Sequence, residues 1–190
     1  MQVPSGHARF FIALLPTPAI QAEVTAIKHI FVDNYNSKGA LKSPPHITLQ
    51  APFIWAEDRL SDLDKSLTDF AKFCSPLQVK LSGFAAFIPR VIYINVLDNP
   101  DLEILQKKLA IQCSNQLGIQ DNIAQDRPFI PHMTVAFRDL TKANFDRAWS
   151  EFERRDFSAE WLATELTLLI HNGQRWEVRS HFSFGYLSAR

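Results

Sequence analysis

Cysteine and any excess of charge of one sign are what this chain conspicuously lacks. It has only two cysteines in 190 residues, Cys74 and Cys113, each set alone among apolar positions of helical spacing. That leaves no disulfide framework, so the expectation is two buried thiols. Lys and Arg number 20 against 20 Asp and Glu, without a dense basic block. A surface that tracks long nucleic acid would show a basic excess, so a long nucleic-acid footprint is excluded, and a small nucleotide or an RNA end fits better as a partner. A long apolar run is also missing: Arg9 precedes only a strand-length stretch, so neither an export signal nor a membrane segment is expected, and a cytoplasmic location follows by default. No low-complexity linker divides the chain. What is present, 46% apolar and 21% charged residues, is ordinary for a globular protein. The length suits one domain, or two closely packed lobes, and a monomer is expected.

Periodicity suggests how the chain is organised. Residues 9–15 form an apolar run closed by Pro16, a strand buried on both faces. Thr17 and Pro18 open a helix whose Ile20, Val24, Ile27 and Phe31 fall on one stripe that must face a sheet. After a loop over 36–45, a strand over 45–52 and a helix with Leu60, Leu63, Leu67 and Phe70 follow, then a strand alternating Leu77, Val79 and Leu81. From Val91 the order recurs: a strand to Leu97, Asn99-Pro100 as cap and first helical residue, and a helix burying Leu102, Leu105 and Leu109. A strand over 130–137, a helix with Phe145, Trp149 and Phe152, and two closing strands complete it. The last strand alternates Trp176, Val178, Phe182 and Phe184 with polar residues. First strands begin at Arg9 and Val91, first helices at Pro18 and Pro100, motif histidines at His46 and His132, and third strands at Leu77 and Ala163; the displacements are 82, 82, 86 and 86 residues. A near-constant displacement predicts two pseudo-symmetric βαβαβ lobes, in sequence halves of about 1–88 and 89–190.

Pro45-His46-Ile47-Thr48-Leu49 and Pro131-His132-Met133-Thr134-Val135 share one pattern, Pro-His-apolar-Thr-apolar. In a strand, residues two apart point to one face, so each His shares a face with its Thr while the apolar residues enter a core. Six His and eight Thr in 190 residues would produce His-x-Thr by chance roughly a quarter of one time, so a matched pair at equivalent points is informative. Taken singly, either motif reads as a core strand whose His and Thr satisfy each other. A zinc site lacks a nearby carboxylate, Cys or His to complete the ligand set. Two imidazoles facing each other supply an acid and a base that titrate near neutrality, and the hydroxyls can bind phosphoryl oxygens. Phosphodiester cleavage needs that division of labour.

These paired motifs resemble those of the 2H phosphoesterase superfamily, in particular its 2′,5′ RNA ligase-like and RNA 2′,3′-cyclic phosphodiesterase members. The resemblance also takes in Arg127-Pro128-Phe129-Ile130-Pro131 and Pro89-Arg90-Val91-Ile92-Tyr93, and covers nearly the whole chain. It implies a bilobal α/β (α+β) fold with the motifs facing across a central cleft, and no metal or other cofactor. It also implies His46 as proton donor to the leaving ribose oxygen, His132 as the base that activates water, and Thr48 and Thr134 as phosphate ligands. Arg138, just after the second motif, and Arg90 are further candidates for phosphate. Phe10, Phe129, Tyr93 and Trp176 are candidate platforms for a base. His7, His29, His171 and His181 are read as non-catalytic. Gln50-Ala51-Pro52-Phe53 departs from the family pattern, and Pro52 is expected to end the strand or lie at a sheet edge.

Overall fold

A computed structural model of the chain describes residues 3–119 and 128–185. In chain order the elements are β1 (His7–Leu14), α1 (Pro18–Tyr35), β2 (Ile47–Ala56), α2 (Leu60–Ala71), β3 (Leu77–Phe87) and β4 (Val91–Val96). They continue as α3 (Pro100–Leu117), β5 (His132–Ala136), α4 (Lys142–Phe152), β6 (Ser158–Ala163), β7 (Glu165–His171) and β8 (Trp176–Ser183). The expected βαβαβ order occurs twice along the chain, as β1–α1–β2–α2–β3 and β4–α3–β5–α4–β6. Three strands, rather than the two expected, follow α4. Ala163 ends β6 instead of beginning a strand.

The strands form two four-stranded antiparallel sheets, ordered β2-β1-β7-β8 and β5-β4-β3-β6. Neither sheet is made from one half of the sequence. β3 leaves the first half to pair with β4 and β6, and β7 and β8 return to the sheet of β1. The division near residue 88 therefore falls between two paired strands of the second sheet, so the lobes are not sequence halves. Antiparallel neighbours joined by a short turn, as β3 and β4 are, pair with little loop-closure cost, whereas a parallel return to β1 would need a longer crossover. Both motif strands, β2 and β5, end up as edge strands, which is where Pro52 is tolerated: β2 runs through it to Ala56.

One apolar core joins the sheets and helices. Phe10, Ile12 and Leu14 of β1 and the α1 stripe of Ile20, Val24, Ile27 and Phe31 belong to this core, all buried as their spacing predicts. Phe10 is fully enclosed there, which removes it as a base platform. α1 also lies against β5 of the opposite sheet, and α3 against β2, so each helix bridges to the other sheet's motif edge. Asn99 caps α3 through its side chain, accepting from the Leu102 amide at 3.1 Å. Phe31 sits between Tyr35 and Phe152, ring centroids 5.6 and 4.5 Å away, where α1 meets α4. Both cysteines are buried and free, and burial pushes their thiols up to about 11 for Cys74 and about 12 for Cys113. Among the described residues no helix is long and apolar enough to cross a membrane.

Truncating Phe31 to Ala removes the ring that joins α1 to α4. Urea unfolding should show a loss of about 3–5 kcal/mol, the usual cost of deleting a fully buried aromatic.

Candidate active site

Each motif strand carries one extra residue directly after its threonine. In β2, Thr48 pairs with Ala13 while Gln50 pairs with Ile12, so Leu49 is the inserted residue. In β5, Thr134 pairs with Tyr93 and Ala136 with Ile92, so Val135 takes the same place. Such bulges bend an edge strand and re-aim the side chains beside them. Leu49 and Gln50 are both buried, as are Val135 and Ala136, which strict alternation would not allow.

The two imidazoles are held alike. His46 immediately precedes β2 and His132 begins β5. His46 Nδ1–H donates to the Pro44 carbonyl at 2.7 Å, and His132 Nδ1–H donates to the Ile130 carbonyl at 2.7 Å. A carbonyl oxygen only accepts, so Nδ1 carries the proton and Nε2 is the nitrogen left for chemistry on each ring. An aromatic ring from the adjacent strand packs on each: Phe11 on His46 at 4.8 Å and Tyr93 on His132 at 5.1 Å. β2 and β5 lie next to each other, and the two rings are close enough for the charge of His132 to act on His46.

Sequence reasoning missed Lys28, which interrupts the apolar face of α1 and is only 2% exposed. Its Nζ donates to the carbonyls of Ala40 and Ser43, 3.0 Å each, in the loop that leads to His46. Asp139, in the turn after the second motif, holds the other end of that loop. Its carboxylate accepts from Ser37 Oγ at 2.9 Å and from the Lys38 and Gly39 amides at 2.6 and 2.8 Å. The loop before one motif is thus fastened to the turn after the other. A buried Lys at a helical spacing could have flagged this, but its partners, 12 and 15 residues on, could not be read from the sequence.

Burial lowers His46 to about 4, with the charges of Lys28 and His132 adding to the depression and the Pro44 carbonyl opposing it. His132 is lowered from 6.5 by burial, against the pull of the Ile130 carbonyl. Lys28 is itself lowered to about 8 by burial. Both imidazoles are therefore neutral at pH 7 in this cleft, and a negative charge between them would raise both.

The remaining candidates are placed unequally. Thr48 and Thr134 are half-buried on their strands. Tyr93 is 6% exposed, under the His132 ring, so it supports that imidazole and is not open to a base. Phe129 is half-buried against the main core. Arg138 is exposed, its guanidinium 5.4 Å from the Phe137 ring centroid, and Arg90 is exposed in the β3–β4 turn. Arg127 lies outside the described residues. Phe87, which the sequence did not single out, stands edge-on to His132 at 5.0 Å and is 36% exposed, making it the open ring beside that imidazole. His181 pairs with Glu165 at 2.8 Å. Among the described residues no group of three His, Cys, Asp or Glu side chains could hold a metal ion.

Residues 16–175 match a sequence model described as the 2′-5′ RNA ligase superfamily. A Bacillus licheniformis protein named "Putative phosphoesterase" is 28% identical over 184 residues, covering 93% of this chain and 99% of the relative. A Geobacillus thermodenitrificans protein of the same name is 30% identical over 181 residues, covering 93% and 96%. Among solved structures, apo LigT of E. coli matches with a TM-score of 0.64 at 18% identity, covering 95% of this chain and 99% of that one. A Thermus thermophilus protein matches with a TM-score of 0.63 at 19% identity, covering 94% and 99%.

A proton NMR titration should find His46 near 4, with Lys28→Met moving it upward, because a cation beside it is removed. In the unfolded chain His46 titrates near 6.5, so the unfolded state binds more protons below that pH. The stability contributed by neutral His46 is complete above 6.5 and lost as pH falls towards 4.

Proposed function

Since the chain belongs to the 2′-5′ RNA ligase superfamily, we propose that it is a metal-independent phosphodiesterase that opens a 2′,3′-cyclic phosphate, or a related 2′-linked phosphodiester, on a nucleotide or RNA end. The family and the named relatives suggest a phosphoesterase. The finer reading is carried by one observation: two imidazoles on facing edge strands, each locked in the tautomer that leaves Nε2 for chemistry. LigT has been solved with 3′-AMP, ATP and NADP+, which supports a small nucleotide as the ligand.

In the forward reaction, water attacks phosphorus and gives its proton to His132 Nε2. The bond from phosphorus to the leaving ribose oxygen breaks, and His46 Nε2–H protonates that oxygen. Thr48 and Thr134 donate to the non-bridging oxygens as charge builds there. His46 must first acquire its proton, and the anionic phosphate favours this by offsetting the repulsion from Lys28 and His132. Run backwards, the same groups join 2′,5′ ends. Arg138 and Phe129 flank the motif strand β5, Arg90 precedes β4, the strand paired with it, and all three are proposed to contact substrate outside the phosphate.

Replacing His46 or His132 with Ala should each lower cyclic-phosphate hydrolysis by at least ~100-fold, the scale for losing one acid or base, with EDTA without effect. Wild-type turnover in the double mutant would refute the assignment. Because both rings are depressed in the unbound cleft, kcat/KM should peak on the acid side, between about 4 and 6.5, and fall above it. The kcat profile should extend to higher pH, since bound phosphate raises both groups. Cyclic phosphate recovered unchanged after tight binding would instead indicate a nucleotide-binding module.

A further inference from the structure

The first sheet carries a second set of cationic and aromatic groups, further along β1 from His46. Arg9 lies two residues from Phe11 and so projects to the same face, about 7 Å along the strand. Phe11 touches Trp176 edge-on at 4.7 Å, and Trp176 touches His171 at 4.9 Å. The Arg9 guanidinium lies over the Trp176 ring, 5.4 Å from its centroid. Arg9 Nε is buried with no hydrogen-bond partner among the described residues. His171 Nδ1 accepts from the Gly173 amide at 3.1 Å, which leaves Nε2–H as a donor. Arg9 and Lys42 both lie near enough for their charges to act on His171. Lys42 ends the 3-10 turn Gly39–Lys42 in the loop that also positions His46.

A cavity of about 540 Å³ opens at this end of the sheet, lined by Arg9, His171, Asn172, Gly173 and the exposed carboxylate of Glu57 among others. The motif histidines do not line it. Arg9 and His171 line the cavity with one carboxylate, Lys42 lies outside that lining, and the half-buried Trp176 ring joins the two to the buried Phe11 ring that packs on His46. An anion with a short organic connection to the scissile phosphate suits this chemistry.

We propose that Arg9 and His171, beside the Trp176 ring, bind a second phosphate of the substrate, so that the preferred substrate is a nucleotide bearing a phosphate besides the one cleaved. The proposal rests on the phosphodiesterase reading for which phosphate occupies the histidine pair, but its binding test does not depend on turnover.

Calorimetry on the full chain should compare adenosine 3′-monophosphate with adenosine 3′,5′-bisphosphate. A charge-assisted pair of contacts predicts that the bisphosphate binds about tenfold tighter or better. That ratio should collapse towards one in Arg9→Gln and shrink in His171→Gln, a change at a half-buried position at the end of β7. Equal affinities in the wild type, no measurable bisphosphate binding, or an undiminished ratio in either variant overturns the proposal. Hydrolysis of cyclic phosphates is scored separately. Turnover without the bisphosphate advantage sinks the second-phosphate site alone, and the advantage without turnover sinks the catalytic reading alone.

Discussion

The site depends on two sheet edges being held face to face. β2 and β5 are outer strands of different sheets, and an edge strand left to itself would expose unpaired backbone groups to any other strand. Here α1, which follows β1 in the chain, packs on β5 of the second sheet, and α3 packs on β3 of its own sheet and on β2 of the first. The burial of their apolar stripes is thus also the force that sets the width of the cleft. The Asp139 carboxylate adds a polar clasp, fastening the loop before one motif to the turn after the other. Asp139 approaches so closely that a Cβ on Gly39 would stand 2.9 Å from its Oδ1, which is why glycine suits that position.

Within that frame the electrostatics follow from burial. Burial penalises the protonation of both imidazoles, and the charges of Lys28 and His132 add to the penalty on His46. Among the described residues Lys28 Nζ has carbonyl partners and no carboxylate, so its charge is felt by its neighbours rather than cancelled. The cleft is poised for an anion: the groups that repel one another are those a phosphate would reconcile. Backbone carbonyls fix both tautomers independently of pH, so protonation changes only the nitrogen that faces the cleft.

Several parts of this arrangement were legible in the residues. The α1 stripe, the Asn99 cap and the His-x-Thr pairs are local patterns, governed by neighbours two to four positions away, and all lie where their spacing placed them. Longer-range features were not. The repeat in element order was correct, yet its translation into lobes failed because β3 pairs across the supposed boundary. The residues of the last strand alternate as if for one face. Instead, an extra residue at Arg179, between the pairs Leu168–Ser180 and Leu169–Val178, reverses its faces. Phe182 and Phe184 enter the main core, while Trp176 turns to the opposite side beside Phe11. A bulge leaves no periodic trace in so short a strand.

By itself, then, the sequence determined which residues could do acid-base chemistry on a phosphate, because residue type and a two-residue period are enough to put an imidazole and a hydroxyl on one face. Only the tertiary structure decided that the two motif strands come together, that the Nε2 atoms are the free ones, and that Lys28 and Asp139 hold the two ends of the loop before His46. Those facts arise from contacts between residues tens to a hundred positions apart, or from single inserted residues that switch a strand's faces. Pairing energies of that kind belong to the folded chain and are not encoded in any one segment.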